Sequence, residues 1–280
     1  MTRLTRRLTL GAAGLVAASA VLHGPAWAQA PGESTLDRVR RTKQLRIGAV
    51  AGGAPYYIKD IAGGPWKGFY IDLSKLLAGE LDAELAIVET TWGNAILELQ
   101  ANHIDVFFGL NPTPRRALSV DFSVPIFHNA FSLVTRAGLA GEAWENFNKP
   151  EVRIAVDAGS SHDQVVSRMC PQAQMSRFRT ADEATLALQS GRVDAQCLIL
   201  MLALPLKKHV PGLGPVVTPR PIFFTTSNAG FRREPDRAWR DFVNVWIDYN
   251  RSLGTVQAAI VDNMKLVGVE ESDFPNGVAL

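Results

Sequence analysis

Leu97–Val106, LELQANHIDV, and Leu186–Ala195, LALQSGRVDA, share the pattern Leu-x-Leu-Gln-x-x-x-(Ile/Val)-Asp at an offset of 89 residues. Each copy ends a stretch with helical apolar spacing, crosses a short polar turn and enters an apolar run, IDVFFGL in one and VDAQCLIL in the other. A unit used twice in one chain predicts two similar lobes. Before the first copy, Gln44–Ala51 and ELAIVET read as strands, and between them IDLSKLLAGEL places Leu73, Leu76, Leu77 and Leu81 on one helical face. Around the second copy, Val152–Ala158, Met175–Phe178 and Val193–Leu198 read as strands, with helices from Ser161 and over Ala181–Gln189. The fold class is therefore α/β, each lobe a mostly parallel sheet flanked by helices.

Two extended runs, Asn129–Gly138 and Arg220–Arg233, are placed to carry the chain from one lobe to the other and back, which leaves a hinged cleft. The expected division is 29–129 with 229–280 for lobe 1, and 130–228 for lobe 2. Two helices close the chain, Pro235–Asn250 and about Leu253–Met264. In the first, Trp239, Phe242, Val243, Trp246 and Tyr249 have core spacing, whereas Ala203–Pro215 reads as a solvated loop.

The first thirty residues have a basic start, Arg3, Arg6 and Arg7, then an apolar run from Leu8 to Leu22, then Ala26-Trp27-Ala28 as a small-x-small cleavage site. Residues 1–28 are expected to be a removable export signal, of the twin-arginine type on the strength of Thr5-Arg6-Arg7-Leu8-Thr9-Leu10, although two arginines also serve general secretion. The expected product is a soluble periplasmic protein. Losing three arginines and no acid takes the formal net charge from +2 to −1, which argues against nucleic acid as a partner. Cys170 and Cys197 are the two cysteines; sequence leaves open whether they pair or stay separate thiols. The histidines lack the short spacings of zinc ligands, Ser160-Ser161-His162-Asp163 reads as a helix start rather than a triad, and no phosphate-binding glycine pattern occurs. No metal and no cofactor are expected.

The segment GLNPTPRRALSVDFSVPIF, Gly109–Phe127, follows the strand that leaves the first copy of the repeat. That strand ends at the carboxyl edge of the sheet, where ligands of open α/β sheets bind. Thr113-Pro114 then offers an N-cap hydroxyl and a proline at the first helical position, with Arg116 third in the helix. Helix amides and a planar guanidinium at one point suit a carboxylate. On spacing alone, Arg115 and Arg116 are as readily placed in solvent or paired with Asp105 or Asp121.

This segment resembles the signature of the bacterial family 3 extracellular solute-binding proteins, in which Gly-x-Thr-x-Thr-x-x-Arg precedes Asp-Phe-Ser-x-Pro-Tyr. PYYIKDIAGGPWKGFYIDL (Pro55–Leu73), DAGSSHD and ALQSGRVDA are similar to further landmarks of that family, so the resemblance spans nearly the whole mature chain. It implies a two-lobed periplasmic-binding fold, capture of an amino acid or related small carboxylate by lobe closure, and delivery as a monomer to the permease of an ABC importer in the inner membrane. It implies Arg116 as the carboxylate-binding arginine, with Gly109, Asn111 and Thr113 beside it, Trp92 as the ligand-facing aromatic, and Gly159, Ser160 and Ser161 as the second lobe's loop against the same carboxylate. Secreted cyclohexadienyl dehydratases share the resemblance and give the alternative, an enzyme that needs a general acid in the cleft.

The departures from the family pattern concern the amine. The family's ammonium-binding aspartate falls on Ile199, its stacking aromatic on Gly53 and an upstream acid on Val50; Asn111 stands where Thr or Ser is usual. A site that keeps Arg116 and loses the aspartate is expected to take a carboxylate with no obligatory α-amine, or one whose amine is met elsewhere. Asp157, Asp163, Asp121 and His128 are the candidate substitutes.

Overall fold

The computed structural model describes residues 32–60 and 62–275; the expected export signal lies outside the described residues. After α1 (Thr35–Thr42), the first βαβαβ series runs β1 (Gln44–Val50), α2 (Phe69–Glu80), β2 (Glu84–Thr90), α3 (Ala95–Gln100) and β3 (Phe107–Leu110). A short α4 (Pro114–Ala117) and β4 (Val120–Phe122) lead into the long β5 (Phe127–Thr135). The second series follows as α5 (Trp144–Phe147), β6 (Arg153–Asp157), α6 (Ser161–Met169), β7 (Gln174–Phe178), α7 (Ala181–Gln189) and β8 (Ala195–Ile199). Then come α8 (Leu200–His209), β9 (Val216–Val217), β10 (Phe224–Arg232), α9 (Ala238–Ser252) and α10 (Thr255–Leu266).

β1 and β2 pair in parallel from Gln44–Glu84 to Val50–Thr90, and a bridge between Ile47 and Val106 attaches the approach to β3 on the other side. The longer sheet has the order β3-β10-β5-β8-β6-β7, with β6 parallel to both β7 and β8. β5 and β10 run antiparallel to each other, Phe224 opposite Ala130 through Ser227 opposite Phe127, and they carry the chain between lobes as the extended runs predicted. The result is a two-lobed α/β fold.

The repeated unit has one structural purpose in both places. The N–H of Arg46 donates to Asp105 Oδ2 at 2.7 Å and the N–H of Asp105 to the Arg46 carbonyl at 2.8 Å, so the aspartate ties the turn to the start of β1. In the second lobe the N–H of Arg153 donates to Asp194 Oδ2 at 2.9 Å, and the N–H of Asp194 to the Arg153 carbonyl at 2.8 Å, at the start of β6. The preceding turn passes through left-handed backbone at Asn102 (φ 58°) and at Gly191 (φ 71°), the same place in each copy. Leu99 and Leu188 are buried in both, Leu97 and Leu186 exposed in both.

Three expectations are corrected. Leu76 is 47% exposed: Phe69 and Tyr70, buried in the first turn, set the inward face of α2 through Leu73 and Leu77 and leave Leu76 at its solvent edge. Tyr249 is 60% exposed for the same kind of reason, because Trp239, Val243, Trp246, Ile247 and Asn250 form the buried stripe of α9. Residues 203–209 are not loop but the body of α8. Pro205 gives up one helical N–H, yet every residue from Leu200 to Pro205 is buried, and Lys207, Lys208 and His209 suit the negative end of the helix. Cys170 and Cys197 are separate buried thiols. No described helix is long and apolar enough to cross a membrane, and no group of three or more His, Cys, Asp or Glu side chains among the described residues is disposed to hold a metal.

Candidate functional site between the lobes

β3 is buried at all four positions and delivers its end to the cleft. Gly109 has φ 87°, and a Cβ there would stand 2.8 Å from Tyr70 and 3.3 Å from Trp92, so only glycine lets the strand turn with both rings so close. Tyr70 stacks on Phe108 at 5.5 Å, and Tyr57 donates to the Phe108 carbonyl at 2.8 Å, which fixes the aromatic floor beneath that turn. Beyond it, Thr113 caps α4 by accepting the Arg116 N–H at 3.2 Å, and Pro114 takes the first helical position.

The two arginines separate as the helix turns. Arg115 is exposed, while Arg116 is 8% exposed and donates to the carbonyls of Asn111 at 2.9 Å and of Gly159, in the other lobe, at 3.2 Å. Among the described residues no carboxylate pairs with Arg116. Asp105 is taken by Arg38 and Arg46, and Asp121 by Arg233, so the two acids that sequence offered it are both engaged elsewhere. Burial pulls the Arg116 pKa down to about 10, which leaves the group a cation at neutral pH without a counter-charge.

Lobe 2 meets it with the start of α6. Ser160 caps the helix by accepting the Asp163 N–H at 3.2 Å, and Ser161 Oγ donates across the cleft to Asn111 Oδ1 at 2.7 Å. Gly159 turns its carbonyl to Arg116 and its N–H to Asp163 Oδ2 at 3.2 Å. His162, in the first turn, accepts the Ile199 N–H on Nε2 at 3.1 Å; the neutral ring therefore carries its proton on Nδ1, which has no partner among the described residues. Burial, then the charge of Arg116, pushes the His162 pKa down to about 3.

Seven of the nine residues picked from sequence, Trp92, Gly109, Asn111, Arg116, Ser160, Ser161 and Ile199, line one small cavity, and Thr113 and Gly159 stand directly behind it as the cap and the acceptor of Arg116. Its free volume is about 10 Å³, room for one water, and the Arg116–Gly159 and Ser161–Asn111 hydrogen bonds tie its two walls together. His162 and Leu202 also line it and were missed by sequence reasoning. The signal for His162 was its place one residue past a serine helix start, where a ring faces the same point as the first helical amides. With Ile199 and Leu202 on the wall, the position where the amine's aspartate was sought is apolar. Of the substitutes, Asp163 pairs with Arg177 at 3.0 Å, Asp121 with Arg233 at 3.5 Å, and His128 lies against a different cavity beside Ile126 and Arg251. Asp157, at the end of β6, is 3% exposed with neither oxygen partnered among the described residues.

Residues 45–261 match the model of the bacterial extracellular solute-binding proteins, family 3. The chain belongs to that family. Among curated relatives it is 28% identical over 167 residues to the ABC transporter glutamine-binding protein GlnH of Bacillus subtilis, covering 58% of this chain and 61% of that one. It is 22% identical to the cyclohexadienyl dehydratase of Pseudomonas aeruginosa over 80% of this chain and 84% of the enzyme. A crystal structure of the ancestral amino acid-binding protein AncCDT-1, described as a precursor of cyclohexadienyl dehydratase, superposes with a TM-score of 0.72 at 30% identity, over 81% of this chain and 97% of that one. This family 3 protein thus spans about three fifths of the glutamine-binding relative and nearly all of the ancestral binding protein. Binding proteins outnumber enzymes among these relatives, and members of the family are extracellular.

Proposed function

We propose that this family 3 protein is a periplasmic receptor that closes its two lobes on a small carboxylate and presents it to the permease of an ABC importer. The observation that carries this reading is Arg116: a buried guanidinium with no counter-ion is costly, and an incoming carboxylate removes that cost. The Nδ1–H of His162 and the first amides of α6 add donors on the opposite side. The same reading takes residues 1–28 as the cleaved export signal, 29–129 with 229–280 as the lobe that holds Arg116, 130–228 as the lobe that closes on it, and a monomer as the working form.

The test is a thermal-shift titration of the mature protein with small carboxylates, repeated on Arg116→Ala and Arg115→Ala. A ligand at about 100 times its Kd stabilises the folded state by roughly 2.7 kcal/mol, which raises Tm by about 5–10 °C in a chain of this size. Arg116→Ala is expected to abolish the shift with the fold intact, and Arg115→Ala to leave it in place; equal responses overturn the reading.

A second reading rests on Asp157. Burial, then the neighbouring charge of Asp182, raises its pKa to about 7, where a carboxyl can act as a general acid, and the dehydratase relative aligns over most of the chain. It requires turnover of a cyclohexadienyl acid by the mature protein, lost in Asp157→Asn; binding without turnover leaves the receptor reading alone.

A further inference from the structure

Beside the Arg116 pocket, and sharing Trp92 with it, lies a larger cavity of about 320 Å³. Lobe 1 contributes Val50, Glu89, Thr90 and Trp92, and lobe 2 contributes Asp157, Thr180 and Asp182. Its unsatisfied groups stand out. Both oxygens of Asp157, the Thr90 hydroxyl and Trp92 Nε1 are buried without partners among the described residues. Asp182 forms no ion pair among the described residues, and its carboxylate reaches over from α7 until it nearly touches Gly52 of lobe 1, where a Cβ would lie 2.5 Å away. The other charged groups at the cavity already have partners: Glu89 pairs with Lys59 at 2.6 Å, Glu98 shares a hydrogen bond with His103 Nδ1 at 2.8 Å, and Arg179, which is largely exposed, pairs with Glu183 at 3.5 Å. What remains is two acids and a hydroxyl facing one space, with one of the acids nine-tenths buried.

Buried carboxylates in folded proteins are paired or hydrogen-bonded, because burial strips the charged form of its hydration. Asp157 has that cost and no structural return for it: among the described residues its carboxylate makes no cap and no strand clamp, unlike those of Asp163, Asp105 and Asp194. Resting on the reading of Arg116 as a carboxylate site, we infer that Asp157, with Asp182, is the receptor for a cationic group at the far end of the ligand. The substrate class is then a small acid carrying an ammonium or guanidinium several bonds from its carboxylate, bound across Trp92 with the anion at Arg116 and the cation at Asp157. This moves recognition of the amine from the end of β8, where Ile199 stands, to the end of β6.

The experiment compares four probes of similar length on the mature protein at pH 8: pentanoate, glutarate, 5-aminopentanoate and 4-guanidinobutanoate, by calorimetric titration on the wild type and on Asp157→Asn. The two cationic acids are expected to bind at least about tenfold more tightly than pentanoate, and Asp157→Asn to remove that preference, since a lost charge pair commonly changes affinity by more than a factor of ten. If pentanoate and the cationic acids bind alike, or Asp157→Asn keeps the preference, this inference falls and the carboxylate reading stands. If glutarate is the tightest, the second pole is an anion and the inference falls again. If none of the four binds, the carboxylate reading falls with it. Circular dichroism of Asp157→Asn, expected unchanged, separates loss of the site from loss of the fold.

Discussion

At Asp105 and at Asp194 the chain makes the same turn, closes the same pair of backbone bonds on the first strand of a lobe, and then goes two different ways. In lobe 1 the aspartate is sealed from solvent with Arg38 and Arg46; in lobe 2 its arginine partners, Arg136 and Arg153, keep 48% and 38% of their side chains exposed. Four residues on, lobe 1 has Gly109 in left-handed backbone and lobe 2 has Leu198 in regular strand. Two residues later the pair is Asn111 against Leu200, one bonded across the cleft and one packed in core. The frame is shared up to the sheet, and chemistry begins where the copies part.

This comparison can be broken at several points. The largest effect is expected from Asp105→Ala, which strands two buried guanidinium groups and should cost roughly 3–5 kcal/mol in chemical denaturation. Next comes Gly109→Ala: the side chain meets Tyr70 at 2.8 Å in a backbone region closed to alanine, so about 2 kcal/mol of stability should go, together with ligand binding as Trp92 is displaced. Asp194→Ala should cost only about 1 kcal/mol, because solvent already screens its arginines. Equal losses from the two aspartates would mean that the copies differ in appearance and not in energy.

The smallest expected effect is on the pH dependence of stability, and it comes from two groups of opposite sign at the cleft. Asp157, raised to about 7, binds a proton in the folded state that the unfolded chain has released, so its contribution falls as pH rises from about 4 to 7. His162, held down at about 3, stays neutral in the fold while the unfolded ring protonates, so its contribution rises with pH up to about 6.5 and is lost below that. The two largely offset between pH 4 and 6.5. In Asp157→Asn, thermal melts should show stability rising more steeply with pH between about 4 and 6.5 than in the wild type, as one opposing slope is removed; an unchanged profile would contradict the raised Asp157.

The fold was legible because its signals are local: the repeat, the period-3.6 stripes of α2 and α9, and the two extended crossings all declare themselves within short windows. Leu76 and Tyr249 were misplaced because periodicity gives the apolar stripe and not its edge, which neighbouring elements decide. α8 was hidden by Pro205, a local signal that burial of six consecutive residues outweighs. In the site, the cap offered Arg116 and the family resemblance singled it out, whereas His162 and Asp182 were not legible, because their importance arises only when α6 and α7 of one lobe face Gly52 and Trp92 of the other. No window of sequence contains that meeting.

Arg116 is already engaged, to Asn111 within its own lobe and to Gly159 across the cleft, and Ser161 is engaged to Asn111. A carboxylate that took Arg116, as we propose, would therefore trade contacts rather than add them. Capture is made shallower by the value of those bonds. On the receptor reading we propose, the bonds that Arg116 makes to the protein compete with the cargo's carboxylate and lower its affinity.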